Sequence, residues 1–256
     1  MGITDSGFAP GDERAAGAEA VRNALQAERS PERAAKQAQF FQTDEGGYGE
    51  GDRFLGVPVP NQRKLARRYR ALHLQEVVEL LQDPFHECRL TALFILVEQF
   101  ERGDAGQRAA VLEVYLRNLD YVNNWDLVDS SAPKILGRAL VADYGGTGVP
   151  EVLWELARSD ELWRERTAVL ATLAFVRAGV FGPTLELAEY QLQHPHDLMQ
   201  KAVGWMLREV GKRDREVERR FLLRLYRTMP RTMLRYAIEH FPEAERRRFL
   251  DGSAGE

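Results

Sequence analysis

Residues 161–212, ELWRERTAVLATLAFVRAGVFGPTLELAEYQLQHPHDLMQKAVGWMLREVGK, decide the fold. In ELWRERTAVLATLAFVRAG (161–179) and DLMQKAVGWMLREVGK (197–212), apolar side chains recur around the period of about 3.6 residues that gathers them on a helical face. The shorter PTLELAEYQL (183–192) between them reads as a helix of its own. Upstream, FHECRLTALFILVEQF (85–100) and DLVDSSAPKILGRALVADY (126–144) repeat the long pattern, and QRAAVLEVYLRNL (107–119) and VPEVLWELA (149–157) repeat the short one. Taking Ala92, the Asp129–Ser130 region, Ala168 and Ala202 as markers, the interval is about 34 to 38 residues. A helix pair recurring at such an interval buries its apolar face against the next pair, which is the signature of a tandem helical-repeat array.

The flanks agree. Ser30 and Pro31 mark a helix start, a capping hydroxyl followed by a residue whose missing N–H costs nothing at that position. TDEGGYGEGD (43–52) is a glycine-rich loop, and Pro60 opens another helix, followed by one carrying LQEVVELL (74–81). Beyond residue 213, three helices are introduced by Asp214, Pro230 and Pro242. Almost no stretch alternates β-branched residues as a strand would. The expected fold is all-α, a HEAT-like solenoid of stacked antiparallel helix pairs. A flexible tail is expected over residues 1–12, a single helical-repeat domain over 13–250, and a second tail over 251–256.

Composition narrows the function. The chain is 44% hydrophobic and 29% charged, enough apolar surface for a continuous core. One cysteine, Cys88, excludes an intrachain disulfide and reads as a buried helix residue. No stretch approaches about 18 apolar residues, and MGITDSGFAPGDE lacks the basic and apolar regions of a secretory signal. These features predict a cytoplasmic, intracellular protein. The formal net charge of -4 does not suggest a nucleic-acid partner, yet residues 201–250 carry fourteen Lys and Arg against seven Asp and Glu. Arg213, Arg215, Arg219, Arg220, Arg224, Arg227, Arg231 and Arg235 can form a basic stripe suited to a phosphate backbone, or solvated helix faces paired with Glu209, Asp214, Glu216 and Glu218.

Four pieces carry a family resemblance: YGEGDRFLGVPVP (48–60), YVNNWDLVDSSAPKILGR (121–138), LWRERTAVLATL (162–173) and QKAVGWMLRE (200–209). In this order, within a helical-repeat background from about Gln37 to Glu239, the chain resembles the AlkD-like DNA alkylation repair proteins, helical-repeat glycosylases that remove positively charged N-alkylated purines. The resemblance implies double-stranded DNA containing alkylated bases as substrate, N3-methyladenine or N7-methylguanine as lesions, and excision without drawing the base into a deep pocket.

The residues themselves suit that chemistry. Trp125 and Asp129 are four apart and share a helical face, as do Trp205 and Arg208 in a later repeat. A cationic base is already a good leaving group, and a carboxylate aimed at the sugar stabilises the positive charge that develops there. Asp129 is therefore the candidate catalytic group, with Trp125 and Trp205 holding the nucleotide through their ring faces. Arg166 is the candidate phosphate anchor, with Arg208 in the same role. At the amino-terminal end, Phe40 falls at an aromatic position where relatives can carry a tyrosine, and Tyr48 and Arg53 could reach phosphates from the glycine-rich loop. Structural alternatives stay open: Asp129 capping or pairing near Lys134 or Arg138, the tryptophans in the core, and Arg166 in an ion pair with Glu161.

His194 and His196 in QHPHD read as a helix-start loop rather than half of a metal site, and GGTG (145–148) lacks the lysine of a phosphate loop. No metal or cofactor is expected. The expected protein is a monomer, nucleoid-associated, that hydrolyses glycosidic bonds. The competing readings are a non-catalytic DNA structure-binding protein and a protein-interaction scaffold.

Overall fold

The computed structural model describes residues 17–146 and 148–255. Tail residues 1–12 and the first residues of the expected domain lie outside them. The described residues divide into two compact units, one ending at Tyr121 and the other beginning at Val122.

The first unit contains α1 (Gly17–Ala27), α2 (Pro31–Phe40), α3 (Val59–Arg68), α4 (Leu74–Leu81), α5 (His86–Arg102) and α6 (Ala105–Arg117), closed by a 3-10 turn at Leu119–Tyr121. The Ser30 hydroxyl accepts the Arg33 N–H at the start of α2, with Pro31 in the first turn, as the sequence predicts. Helix α5 packs against α3, α4 and α6. Neighbours on several sides explain why its residues from His86 to Val97 are all buried, charged ones included. Cys88 lies in this core.

The second unit contains α7 (Trp125–Ser131), α8 (Leu136–Ala142), α9 (Glu151–Ala157), α10 (Leu162–Arg177), α11 (Gly182–Tyr190), α12 (Asp197–Arg213), α13 (Arg215–Leu225), α14 (Arg231–Ala237) and α15 (Glu243–Asp251). Helices α7 and α8, α10, α12 and α14 follow one another side by side. Helix α9 packs on α10, α11 on α10 and α12, and α13 on α12. This alternation is the helical-repeat fold read from the sequence. Two glycines permit its closest approaches. A Cβ on Gly137 of α8 would lie 2.2 Å from the Ala171 carbonyl of α10, and one on Gly204 of α12 would lie 2.4 Å from the Met233 carbonyl of α14.

One sequence expectation changes in detail. The segment 126–144 is two helices rather than one, because Pro133 has no N–H to continue α7 and its ring crowds the preceding turn. Of residues 251–255, Asp251 and Gly255 are exposed, Gly252 and Ser253 are half-buried and Ala254 is buried. Asp251 closes α15, the Tyr226 hydroxyl donates to the Gly252 carbonyl at 2.7 Å, and Ala254 is buried. Asp214 caps α13, accepting the N–H groups of Glu216 and Val217, and Pro230 and Pro242 stand at the caps of α14 and α15.

Candidate active site

The candidate catalytic residues fall on two helices of the second unit, Trp125 and Asp129 on α7 and Trp205 on α12. Asn124 begins α7, its side-chain oxygen accepting the Trp125 N–H at 2.8 Å. Trp125 and Asp129 follow one turn apart, both half-buried. Arg166 reaches Asp129 from α10 as a two-pronged fork, Nε donating to one carboxylate oxygen and Nη2 to the other, each at 2.9 Å. Its Nη1 donates to the Leu198 carbonyl in the first turn of α12 at 2.5 Å. One guanidinium thus ties α7, α10 and α12 together.

This fork replaces the pairings weighed from sequence. Asp129 spends both oxygens on Arg166, and Arg166 pairs with Asp129 rather than Glu161. The guanidinium expected to anchor a phosphate is 5% exposed, with three of its N–H groups committed inside the protein. A signal for the pair was present in the sequence. Asp129 and Arg166 are 37 residues apart, one repeat interval, so they occupy equivalent positions on neighbouring stacked helices.

Burial pushes the Asp129 carboxyl above the ordinary carboxylate range. The Arg166 charge and its hydrogen bonds oppose that shift without cancelling it, and Asp126 adds to it. The result is a carboxylate that is partly desolvated yet fixed in direction. Such a group favours a nearby developing positive charge more than a solvated carboxylate would, because less water competes for it.

Trp205 and Arg208 lie further along α12. The Trp205 indole N–H donates to Glu209 at 3.0 Å, which leaves the ring half-buried and held at one edge. Burial would raise the Glu209 carboxyl, but hydrogen bonds from Lys212 and Trp205 hold it low. Arg208 pairs with Glu239, just beyond α14, and its Nε is buried without a hydrogen-bond partner.

Around this cluster stands a layer that sequence reasoning had set aside. His194 Nε2 lies 2.8 Å from Glu165, the neighbour of Arg166 on α10. His196 caps α12, its Nδ1 accepting the Leu198 N–H at 3.1 Å. The QHPHD loop is therefore a helix start, as read, and it is also joined to the site.

The amino-terminal candidates belong to the first unit. Phe40 ends α2 with its ring 65% exposed, as a stacking surface requires. The Tyr48 hydroxyl donates to the Phe40 carbonyl at 3.0 Å. Arg53 is exposed, its guanidinium 4.7 Å from the Phe85 ring centroid. The motif around them is largely architectural. Buried Glu87 accepts the N–H groups of Leu55, Gly56 and Val57, at 2.9, 2.7 and 3.2 Å. Half-buried Asp52 holds His86 at 2.7 Å and Arg89 at 2.8 Å. Burial would raise the Asp52 carboxyl, but these two partners hold it below its usual range.

The basic segment is mostly committed to the fold. Arg215 and Arg219 reach Glu245 on α15, Arg224 forks onto Glu189 of α11, and Arg231 donates to the Leu250 carbonyl. The acidic partners expected from sequence were local ones. The observed acidic partners of α13 lie on α11 and α15, which its long arginine side chains reach.

Fold and site thus define a helical-repeat protein with a carboxylate–guanidinium centre joining α7, α10 and α12. The DNA alkylation repair enzyme family model matches residues 21–241, and the chain belongs to that family. A solved structure described as a predicted DNA alkylation repair enzyme from Enterococcus faecalis has the same fold. It shares 18% identity at a TM-score of 0.67, over 84% of this chain and 98% of the other. No curated protein matches. Membership of the family supports a role in alkylation repair with DNA as substrate. Among the described residues, no helix is long and apolar enough to cross a membrane.

Proposed function

We propose that the protein is a DNA glycosylase that hydrolyses the N-glycosidic bond of cationic N-alkylated purines, N3-methyladenine and N7-methylguanine, in duplex DNA. The observation that carries this reading is the partly desolvated Asp129 carboxylate, held by both oxygens in the Arg166 fork. As the bond from C1′ to the base nitrogen breaks, its electron pair leaves with the base, which departs neutral. Positive charge spreads over C1′ and the ring oxygen of the sugar, where Asp129 stabilises it. Water adds to C1′, and its proton passes to Asp129 or to solvent.

Trp125 and Trp205 supply ring faces to the nucleotide, and Arg208, Phe40, Tyr48 and Arg53 are the candidate backbone contacts. Arg166 serves here as the group that orients Asp129, in place of the phosphate anchor expected from sequence. The protein acts as a monomer in the intracellular compartment that holds the chromosome.

The same fork favours one rival. A carboxylate with both oxygens occupied is also what a purely structural ion pair looks like, which suits a DNA-binding protein without catalysis. Purified wild type and Asp129→Asn are incubated in metal-free buffer with duplexes carrying a single N3-methyladenine or N7-methylguanine, and released bases are detected directly. Glycosylase action predicts release by the wild type and a loss of about a hundredfold or more in the variant with DNA affinity retained. Release no faster than spontaneous depurination on both lesions rejects it and leaves the binding protein.

A further inference from the structure

Four hydrogen bonds at the start of α12 close a loop that begins and ends on adjacent residues of α10. From Glu165, the carboxylate holds His194 Nε2 at 2.8 Å. His194 Nδ1 accepts the His196 N–H at 3.1 Å, and His196 Nδ1 accepts the Leu198 N–H at 3.1 Å. The Leu198 carbonyl then accepts Arg166 Nη1 at 2.5 Å, which returns the chain of contacts to α10 and to the fork on Asp129. A backbone N–H can only donate, so each imidazole must present an unprotonated Nδ1 and carry its proton on Nε2. For His194 that proton points at Glu165.

We propose that His196 is a positioning residue for Asp129, acting through Leu198 and Arg166, and that its protonation releases this hold as pH falls. The proposal rests on the glycosylase reading. A doubly protonated His196 cannot accept the Leu198 N–H, and it sets a second cation beside Arg166. The groups that face it are Arg166 from α10, His194 from the preceding loop, which Glu165 of α10 holds in turn, and Asp197 from its own helix. Burial favours its neutral form, the Arg166 charge acts in the same direction, and Asp197 opposes them, with the net effect of lowering its pKa. The folded protein therefore binds this proton less readily than the unfolded chain. The hold is complete above the unfolded value and is lost as pH falls through the folded one.

Two variants test it. His196→Ala removes the acceptor, whereas His196→Asn keeps a capping oxygen that does not titrate. Single-turnover base release by His196→Ala is expected to fall about tenfold to a hundredfold at neutral pH with unchanged duplex affinity, and Asn is expected to restore most of it. The wild-type rate falls on the acid side from two protonations, Asp129 and His196. In His196→Asn the His196 protonation is absent, so the rate should fall less steeply on the acid side than in the wild type. Long-range proton–nitrogen NMR of the wild type should show His194 and His196 as Nε2–H tautomers, a readout independent of activity. Wild-type release together with an unaltered His196→Ala rate, a His196→Asn profile superimposed on the wild type, or an Nδ1–H tautomer at His196 overturns the positioning role and leaves the proposed function intact. A wild type that releases no base overturns the proposed function itself, whatever the tautomers.

Discussion

Half-buried Asp129 and buried Glu218 show how two desolvated carboxyls in one unit diverge in consequence. Asp129 has a fork-shaped partner, so removing that partner should be costly. Arg166→Ala leaves a desolvated carboxylate without compensation and is expected to lower stability by about 3 kcal/mol in urea unfolding at pH 7. Arg166→Lys loses the two-pronged geometry and should recover only part of that. Glu218 on α13 is 2% exposed and its Oε1 has no hydrogen-bond partner. Burial pushes its carboxyl up from the ordinary 4.5 to about 8, against the pull of Arg215 and Arg208, with Glu245 reinforcing the rise. A raised folded pKa means stability that is fully present below the ordinary 4.5 and is lost progressively as pH rises from there to about 8. Glu218→Gln should therefore gain about 3 kcal/mol at pH 9 and little at pH 5. Equal effects at both pH values in urea titrations would show that Glu218 does not stay protonated in the folded protein.

At the scale of elements, the repeat depends on how closely neighbouring helices lie. Gly204 lets α14 come against α12, and the hypothetical Cβ would meet backbone, which cannot turn aside. Gly204→Ala should cost about 2 kcal/mol and lower the melting temperature by several degrees. Gly106, in the exposed first turn of α6, has only an Asp104 oxygen at 3.5 Å from its would-be Cβ. Gly106→Ala should be neutral or stabilise by up to about 1 kcal/mol. The pair of melting curves separates a glycine needed for packing from one that merely tolerates its site; a destabilised Gly106→Ala would remove that distinction. Helix signals in the sequence were strong where caps and prolines act locally, as at Ser30, Asp214, Pro230 and Pro242. They failed at Pro133, where apolar periodicity continues through a residue that the backbone cannot carry in a helix.

For the whole molecule, the charge balance matters less than how much of it is free. Arg215, Arg219, Arg224 and Arg247 hold carboxylates, so the fourteen basic residues of 201–250 overstate the charge available to DNA. Duplex binding should still weaken with salt, because each phosphate contact releases condensed counterions. Between about 50 and about 200 mM salt a loss of roughly tenfold to a hundredfold is expected, less than for a protein that contacts phosphate with every one of these arginines. Fluorescence anisotropy across a salt series measures the slope, and binding independent of salt would exclude a phosphate-tracking surface.

Apolar period, caps and prolines were enough to dictate helices, because each acts through neighbours within a turn or two, and the recurrence of helix pairs about every 34 to 38 residues indicated their stacking. The same interval placed Asp129 and Arg166 on equivalent positions. Tertiary packing alone decided that the two would bond, since the choice among Glu161, Lys134, Arg138 and Arg166 depends on which side chains the stack brings within reach and shields from water. It likewise decided that Arg166 turns inward, and that the histidine loop joins the site through backbone groups whose directions exist only once α10 and α12 lie side by side.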